Sequence, residues 1–384
     1  MMKSFFLIPV MLLLFVACNN AQNAQPETLK DAFKGEFLIG TAMNYRQYTG
    51  QDTKSVAMIK KHFNSIVAEN CMKSESLQPR EGEFFFDNAD KFVEFGIQND
   101  MFIVGHALIW HSQIPKWFFV DDKGNDVSPE VLTERMRNHI HTVVTRYKGK
   151  VHGWDVVNEA ILDDGSFRNS KFYQILGEDY IRLAFQFAHE ADPEAELYYN
   201  DYSMEHPGKR QGTVNMIRRL QEQGVQIHGV GTQGHMTMDF PTLEAFEQSV
   251  IAFAELGVNV MVTELDISVL PFPNRNVGAD IANTAEYQLS LNPYADGLPA
   301  EVYQRWHQRY ADFFRLFVKH QDKISRVTLW GLSDADSWKN DWPIKGRTDY
   351  PLLFDRNVEP KPLVQALINE VSVVKNKEMV AKIK

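Results

Sequence analysis

Cysteine is nearly missing from this 384-residue chain, which carries only Cys18 and Cys71. If Cys18 is consumed by lipid, as its context suggests, no intramolecular disulfide remains, and stability must come from a packed core. Long basic runs are missing too, and 40 Lys and Arg against 50 Asp and Glu give a net charge of −10, which argues against nucleic acid as a partner. No apolar stretch reaches the roughly 20 residues that a transmembrane helix needs. Metal-ligand pairs at H-E-x-x-H spacing and Gly-rich nucleotide loops do not occur, so the sequence implies no metal and no other cofactor. No Pro/Ser/Thr-rich linker interrupts residues 37 to 370, which leaves one domain without an appended module.

What is present describes a globular chain. A hydrophobic fraction of 44% and a charged fraction of 23% suit a sizeable core. Aromatic residues make up 12%, with seven Trp, a composition that leans toward flat apolar ligands such as sugar rings. At the start, Lys3 precedes an apolar stretch from Phe5 to Val16 that is too short to span a bilayer. It ends Phe15-Val16-Ala17-Cys18, which resembles a bacterial lipobox with Cys18 as the lipid-attachment residue. The expected organisation is a lipoprotein signal over 1–17, a flexible tether over 18–35, a folded domain over 36–372 and a tail over 373–384. The expected place is a bacterial outer membrane, on its periplasmic or surface face, reached through the N-terminal lipid alone. Plain secretion is the alternative.

From residue 37 onward short apolar runs alternate with stretches of helical period. Eight strands are expected: Phe37 to Ala42, Asn64 to Glu69, Met101 to His106, Val151 to Glu159, Glu196 to Asn200, Ile227 to Gln233, Asn259 to Glu264 and Arg326 to Trp330. Helical segments separate them, some with clear starts, such as Ser128 before Pro129 and Thr242 before Glu244. Near-continuous apolar strands with helical crossovers imply a buried parallel sheet, and eight such units close into an α/β fold, a single (β/α)8 TIM barrel. Leu270 to Ala300 reads as a long loop after the seventh strand.

Nearly every expected strand ends in polar residues, which in a barrel gather on one rim. Glu159 and Glu264 stand at the ends of strands four and seven, across the mouth from each other. Opposed carboxylates are what glycosidic cleavage needs, one to protonate the leaving oxygen and one to attack or stabilise the anomeric carbon.

The stretches WDVVNEA from Trp154 and VTELDI from Val262 resemble the signatures of the family 10 glycoside hydrolases, the barrel-fold xylanases. Further blocks agree in order: AENCMKSESLQPREGEFFFDNAD from Ala68, HALIWHSQIPKW from His106, YYNDYSME from Tyr198, GVGTQGH from Gly229 and LWGLSDADSW from Leu329. The resemblance implies hydrolysis of internal β-1,4 bonds in xylan and xylo-oligosaccharides by a retaining mechanism. Glu159 would be the acid/base and Glu264 the nucleophile, supported by His235 and Asp266. Asn158 would bind the sugar 2-hydroxyl and Gln233 would orient Glu159 or a water. Glu69, Asn70, Lys73, His106 and Trp110 would line the non-reducing-side positions, with Trp330 and Trp338 as an aromatic lid. Trp154, Trp117 and Trp306 read as structural. The implied state is a monomer. A β-1,4-glucanase would share both glutamates, and a non-catalytic sugar-binding lipoprotein is the rival from another class.

Overall fold

A computed structural model describes residues 26–272 and 290–371. The signal, Cys18, the tail from 373 and much of the 270–300 loop lie outside the described residues. Nine strand segments are seen: β1 Leu38–Met43, β2 Ser65–Ala68, β3 Phe102–Trp110, β4 Gly153–Asn158, β5 Glu196–Asp201, β6 Gly229–Thr232, β7 His235–Thr237, β8 Asn259–Ser268 and β9 Ile324–Leu329. Every pairing between them is parallel. Because β1 pairs with both β2 and β9, and β6 with both β5 and β8, the sheet closes on itself. The short β7 continues the sixth stave beside β8, so the barrel has eight staves, as the sequence predicts.

Hydrophobic strand sequences such as SIVA in β2 and NVMVTELDIS in β8 are buried along almost their whole length, which fits a sheet covered on one face by helices and on the other by its own interior. Crossover helices start where the caps predict: the Ser128 hydroxyl accepts from the backbone of Val131 and that of Thr242 from Ala245. The main core lies between barrel and helices. A smaller apolar cluster of Ala42, Val67, Val104, Tyr198, Met261 and Trp330 fills the interior. Inside, bulk alternates with space: a Cβ on Gly153 would stand 2.4 Å from the Tyr198 hydroxyl oxygen, so only glycine fits there.

Several boundaries depart from the sequence expectation. Strand three does not stop at His106 but runs to Trp110, and strand seven does not stop at Glu264 but runs to Ser268. Between β4 and β5 the crossover carries not one helix but two, Lys171–Leu176 and Asp179–Ala191, separated at Gly177 with φ 63°. The tether also ends earlier than residue 35. A short helix Leu29–Ala32 buries Leu29, Ala32 and Phe33 against the body, with Phe33 stacked on Phe37 at 4.8 Å and 5.4 Å from Phe314. Leu29 and Phe33 lie four positions apart and so share one helical face, an apolar pair too short to register as a period.

Candidate active site

The polar ends of β4, β5, β6, β7 and β8 converge on one side of the barrel mouth. Glu159 follows β4 directly and has φ 60°, a left-handed backbone that a non-glycine residue adopts only when its surroundings hold it there. The hold is visible. Its N–H donates to the Asn200 carbonyl at 2.9 Å, and its carbonyl accepts from Arg168 Nε at 2.8 Å. The next two amides, of Ala160 and Ile161, donate to the Tyr199 hydroxyl at 3.1 and 3.2 Å. Asp201 accepts from that hydroxyl and pairs with the fully buried Lys209 at 2.9 Å. The carboxylate that this turn presents accepts from Gln233 Nε2 at 3.1 Å and from Asn158 Nδ2 at 3.4 Å, with His111 Nε2 4.0 Å from its other oxygen.

Glu264 is buried and bound on both oxygens. Asn200 Nδ2 donates to one at 2.9 Å, and His235 Nε2 lies 3.1 Å from the other. The second ring nitrogen of His235 is 2.9 Å from Asp266, which also accepts from Trp338 Nε1 at 2.9 Å. Burial opposes a charge on His235, but the negative charge of Asp266 and the hydrogen bonds to Asp266 and Glu264 overcome it and push the ring up to about 9. Glu264 follows the reverse logic: burial would raise it, yet the His235 hydrogen bond, the charges of His106 and His235 and the Asn200 amide hold it below the usual carboxylate range.

Amides bridge the two carboxylates. The Asn158 amide packs 3.0 Å from Asn200 Nδ2 and 3.4 Å from Gln233 Nε2, while Asn200 Oδ1 accepts from Thr263 at 2.6 Å. Glu159 and Glu264 are therefore joined by one run of contacting amides. The approach depends on Gly231, where a Cβ would stand 2.4 Å from Asn200 Oδ1 and 2.7 Å from Thr263 Cγ2.

The other expected residues form a second group beside the first. Lys73 is buried, donates to Asn70 at 3.0 Å and Gln113 at 2.7 Å, and sits 5.1 Å above the Trp110 ring. Glu69 is held above the usual carboxylate range by burial, against the pull of Lys73. His106 is buried in mid-strand, 2.8 Å from Asp155 and edge-on to Trp330 at 5.3 Å. Trp338 stands 4.9 Å from the His235 ring and stacks on Trp342 at the same distance. Of the three tryptophans read as structural, Trp154 and Trp306 are buried, and Trp117 donates to the Gln78 carbonyl at 3.0 Å.

Sequence reasoning attached no role to Asn200, His111, Gln113 or Lys339, which lies 3.6 Å from Asp266. Asn200 carried a usable signal, a polar residue at a strand end within a recognised block. His111 and Gln113 follow the end of β3 directly, and Lys339 lies in the short 3-10 turn Trp338–Asn340, where no period marks which way a side chain faces.

The sequence model of Glycosyl hydrolase family 10 matches residues 28–370. The chain is similar to Endo-1,4-beta-xylanase A of Xylanibacter ruminicola, 49% identical over 363 residues that make up 94% of this chain and 97% of that protein. It is 41% identical to an endo-1,4-beta-xylanase of Geobacillus stearothermophilus, over 89% of this chain and 98% of the other. Among solved structures, a GH10 endoxylanase retrieved from a sugarcane soil metagenome superposes with a TM-score of 0.84 at 47% identity, covering 90% of this chain and all of that one.

Proposed function

This chain belongs to glycosyl hydrolase family 10, and from that premise we propose that it is a retaining endo-1,4-β-xylanase, with Glu264 as nucleophile and Glu159 as acid/base. One observation carries the division of roles. Glu264 is held ionised between an amide and an imidazolium, whereas Glu159 receives only neutral amide donors in hydrogen bonds. A nucleophile must meet the anomeric carbon as an anion, and an acid must arrive with a proton.

In the first step Glu264 attacks the anomeric carbon as the glycosidic bond breaks, and the Glu159 proton passes to the leaving oxygen. A covalent xylosyl-enzyme and a shortened chain result. Glu159, now a carboxylate, takes a proton from water, whose oxygen displaces Glu264 and restores the β configuration. Asn158 lies between the carboxylates and binds the 2-hydroxyl of the reacting sugar. Trp330 and Trp338 cover its apolar face, and a C5 hydroxymethyl group would press against that lid, which favours xylose over glucose. Glu69, Asn70, Lys73, His106 and Trp110 bind the sugars toward the non-reducing end. For a retaining pair the carboxyl groups stand roughly 5–5.5 Å apart.

Export and anchoring belong to the same reading: a signal over 1–17, acylation of Cys18, and a monomer displayed on a bacterial outer membrane. The lipobox-like FVAC supports this reading.

The roles separate on activated substrates. Glu159→Ala should still release phenolate from aryl xylobiosides, which need no acid, then stall at the xylosyl-enzyme and recover turnover with azide, giving a β-glycosyl azide. Glu264→Ala should lose activity on every substrate. If Glu264→Ala is instead the variant that yields the β azide, the assignment is reversed.

A further inference from the structure

The loop that follows Glu159 lies directly on a helix. Gly208 and Gly212 share one face of the helix Pro207–Glu222, and their backbone meets that of Asp163 to Gly165. A Cβ on Gly208 would stand 2.7 Å from the Asp163 carbonyl oxygen, and one on Gly212 would stand 2.4 Å from that of Gly165. Only glycine permits so close an approach of two backbones. Between these glycines Lys209 turns inward, fully buried, with its ammonium 3.7 Å over the Tyr202 ring.

Lys209 ends at Asp201, and all the lone-pair positions of that buried carboxylate are taken. One oxygen accepts from the Tyr199 hydroxyl and from the Ile161 amide at 3.3 Å; the other accepts from the Tyr202 amide at 2.9 Å and faces the Lys209 ammonium at 2.9 Å. No oxygen is left to carry a proton, so Asp201 is an anion. Burial pushes it up to about 6 against the pull of Lys209, which leaves it ionised at neutral pH, and Lys209 supplies the counter-charge that a buried anion needs. The anion in turn fixes the Tyr199 hydroxyl. A phenol has one proton and two lone pairs, and with the proton held by Asp201 the lone pairs face the amides of Ala160 and Ile161 at 3.1 and 3.2 Å. Those amides follow Glu159, whose φ of 60° persists only while its neighbours are held.

We propose that Lys209 is a positioning residue for proton transfer, which acts through Asp201 and Tyr199 to hold the turn that aims the Glu159 carboxyl at the leaving oxygen. The proposal rests on the reading of Glu159 as acid/base. Lys209 acts by its charge. Lys209→Met keeps an unbranched apolar stem but leaves Asp201 buried without a counter-charge, and the carboxylate then takes up a proton. One of its acceptor positions becomes a donor, and the Tyr199 hydroxyl and the Ile161 amide lose their fixed places.

Two substrates with the same sugars and different leaving groups test this. The value of kcat/KM is set no later than the first bond cleavage, where dinitrophenolate leaves its β-xylobioside as a stable anion and the alcohol of benzyl β-xylobioside needs the Glu159 proton. In Lys209→Met the ratio of benzyl to dinitrophenyl kcat/KM should fall about 100-fold, the loss expected when a reacting group is displaced by about 1 Å. Tyr199→Phe removes only the oxygen that the two amides share, and there the ratio should fall about tenfold. Loss of folded protein or a general loosening lowers both rates together and leaves the ratio unmoved. An unmoved ratio in either variant overturns the proposal, and Tyr199→Phe alone decides it if Lys209→Met does not fold. Glu159→Ala is the control and should lower the ratio further than either. If it lowers both rates equally, the acid/base assignment itself falls, a result distinct from an unmoved ratio in the Lys209 variant.

Discussion

Both ring nitrogens of His235 face carboxylate oxygens, so the ring serves both neighbours as a donor only when it is protonated. It holds that proton up to about pH 9 in the fold, against an ordinary value of 6.5. Its contribution to stability is therefore complete below pH 6.5 and is lost as the pH rises through about 9. Removing the ring leaves two buried carboxylates facing each other without the cation between them. His235→Asn should lower the melting temperature most at neutral and acid pH, and the gap from the parent should close by about pH 10. Thermal unfolding from pH 5 to pH 10 checks this, and a gap that does not vary with pH would show that His235 is neutral in the fold.

The strands that carry the site are irregular where they carry it. Pairing registers shift between Asp155 and Val157 of β4 next to β5, between His106 and Ile109 of β3 and between Val262 and Leu265 of β8. Such irregularities re-aim side chains, and here they fall beside Asn158, at His106 and across Glu264. This also explains which parts of the fold the sequence made legible. Eight staves, their order and both glutamates follow from apolar runs and polar ends. The expected ends of β3 and β8 fall short because a buried imidazole or carboxylate inside a strand, His106 or Glu264, looks too costly. The cost is met by partners on other strands, Asn200 and His235 for Glu264, which a local pattern cannot contain. For the same reason Asn200 went without a role: its importance lies in contacts with β4 and β8. Gly231 tests this interlocking at the level of the strands. In Gly231→Ala the new methyl would displace Asn200 and Thr263 together, at about 1–3 kcal/mol for overpacking. Because Asn200 touches both Glu264 and Asn158, kcat should fall about 100-fold, as expected for a shift near 1 Å in a reacting group. An active Gly231→Ala enzyme with a normal kcat would mean that the amide bridge tolerates displacement.

Taken whole, the molecule separates its two ends. The catalytic rim stands at the carboxyl ends of the staves, whereas the Leu29–Ala32 helix docks near the opposite end, where the Leu29 amide faces His62 at 3.5 Å and Lys30 reaches the Lys60 carbonyl just ahead of β2. Cys18→Ser should accordingly move the enzyme from the membrane fraction to the soluble one while its rate on soluble xylo-oligosaccharides stays the same. Retention of the variant on membranes would remove the lipobox reading. The docked helix has a directional consequence for a lipid-anchored enzyme. With Leu29 fixed beneath the barrel, only about ten residues separate Cys18 from the body, a reach of at most ~40 Å. Under the anchoring proposed above, the chain would be moored by its floor, with the mouth on the side of the barrel away from the tether. Polymer too large to approach a membrane closely could then still be cut from above.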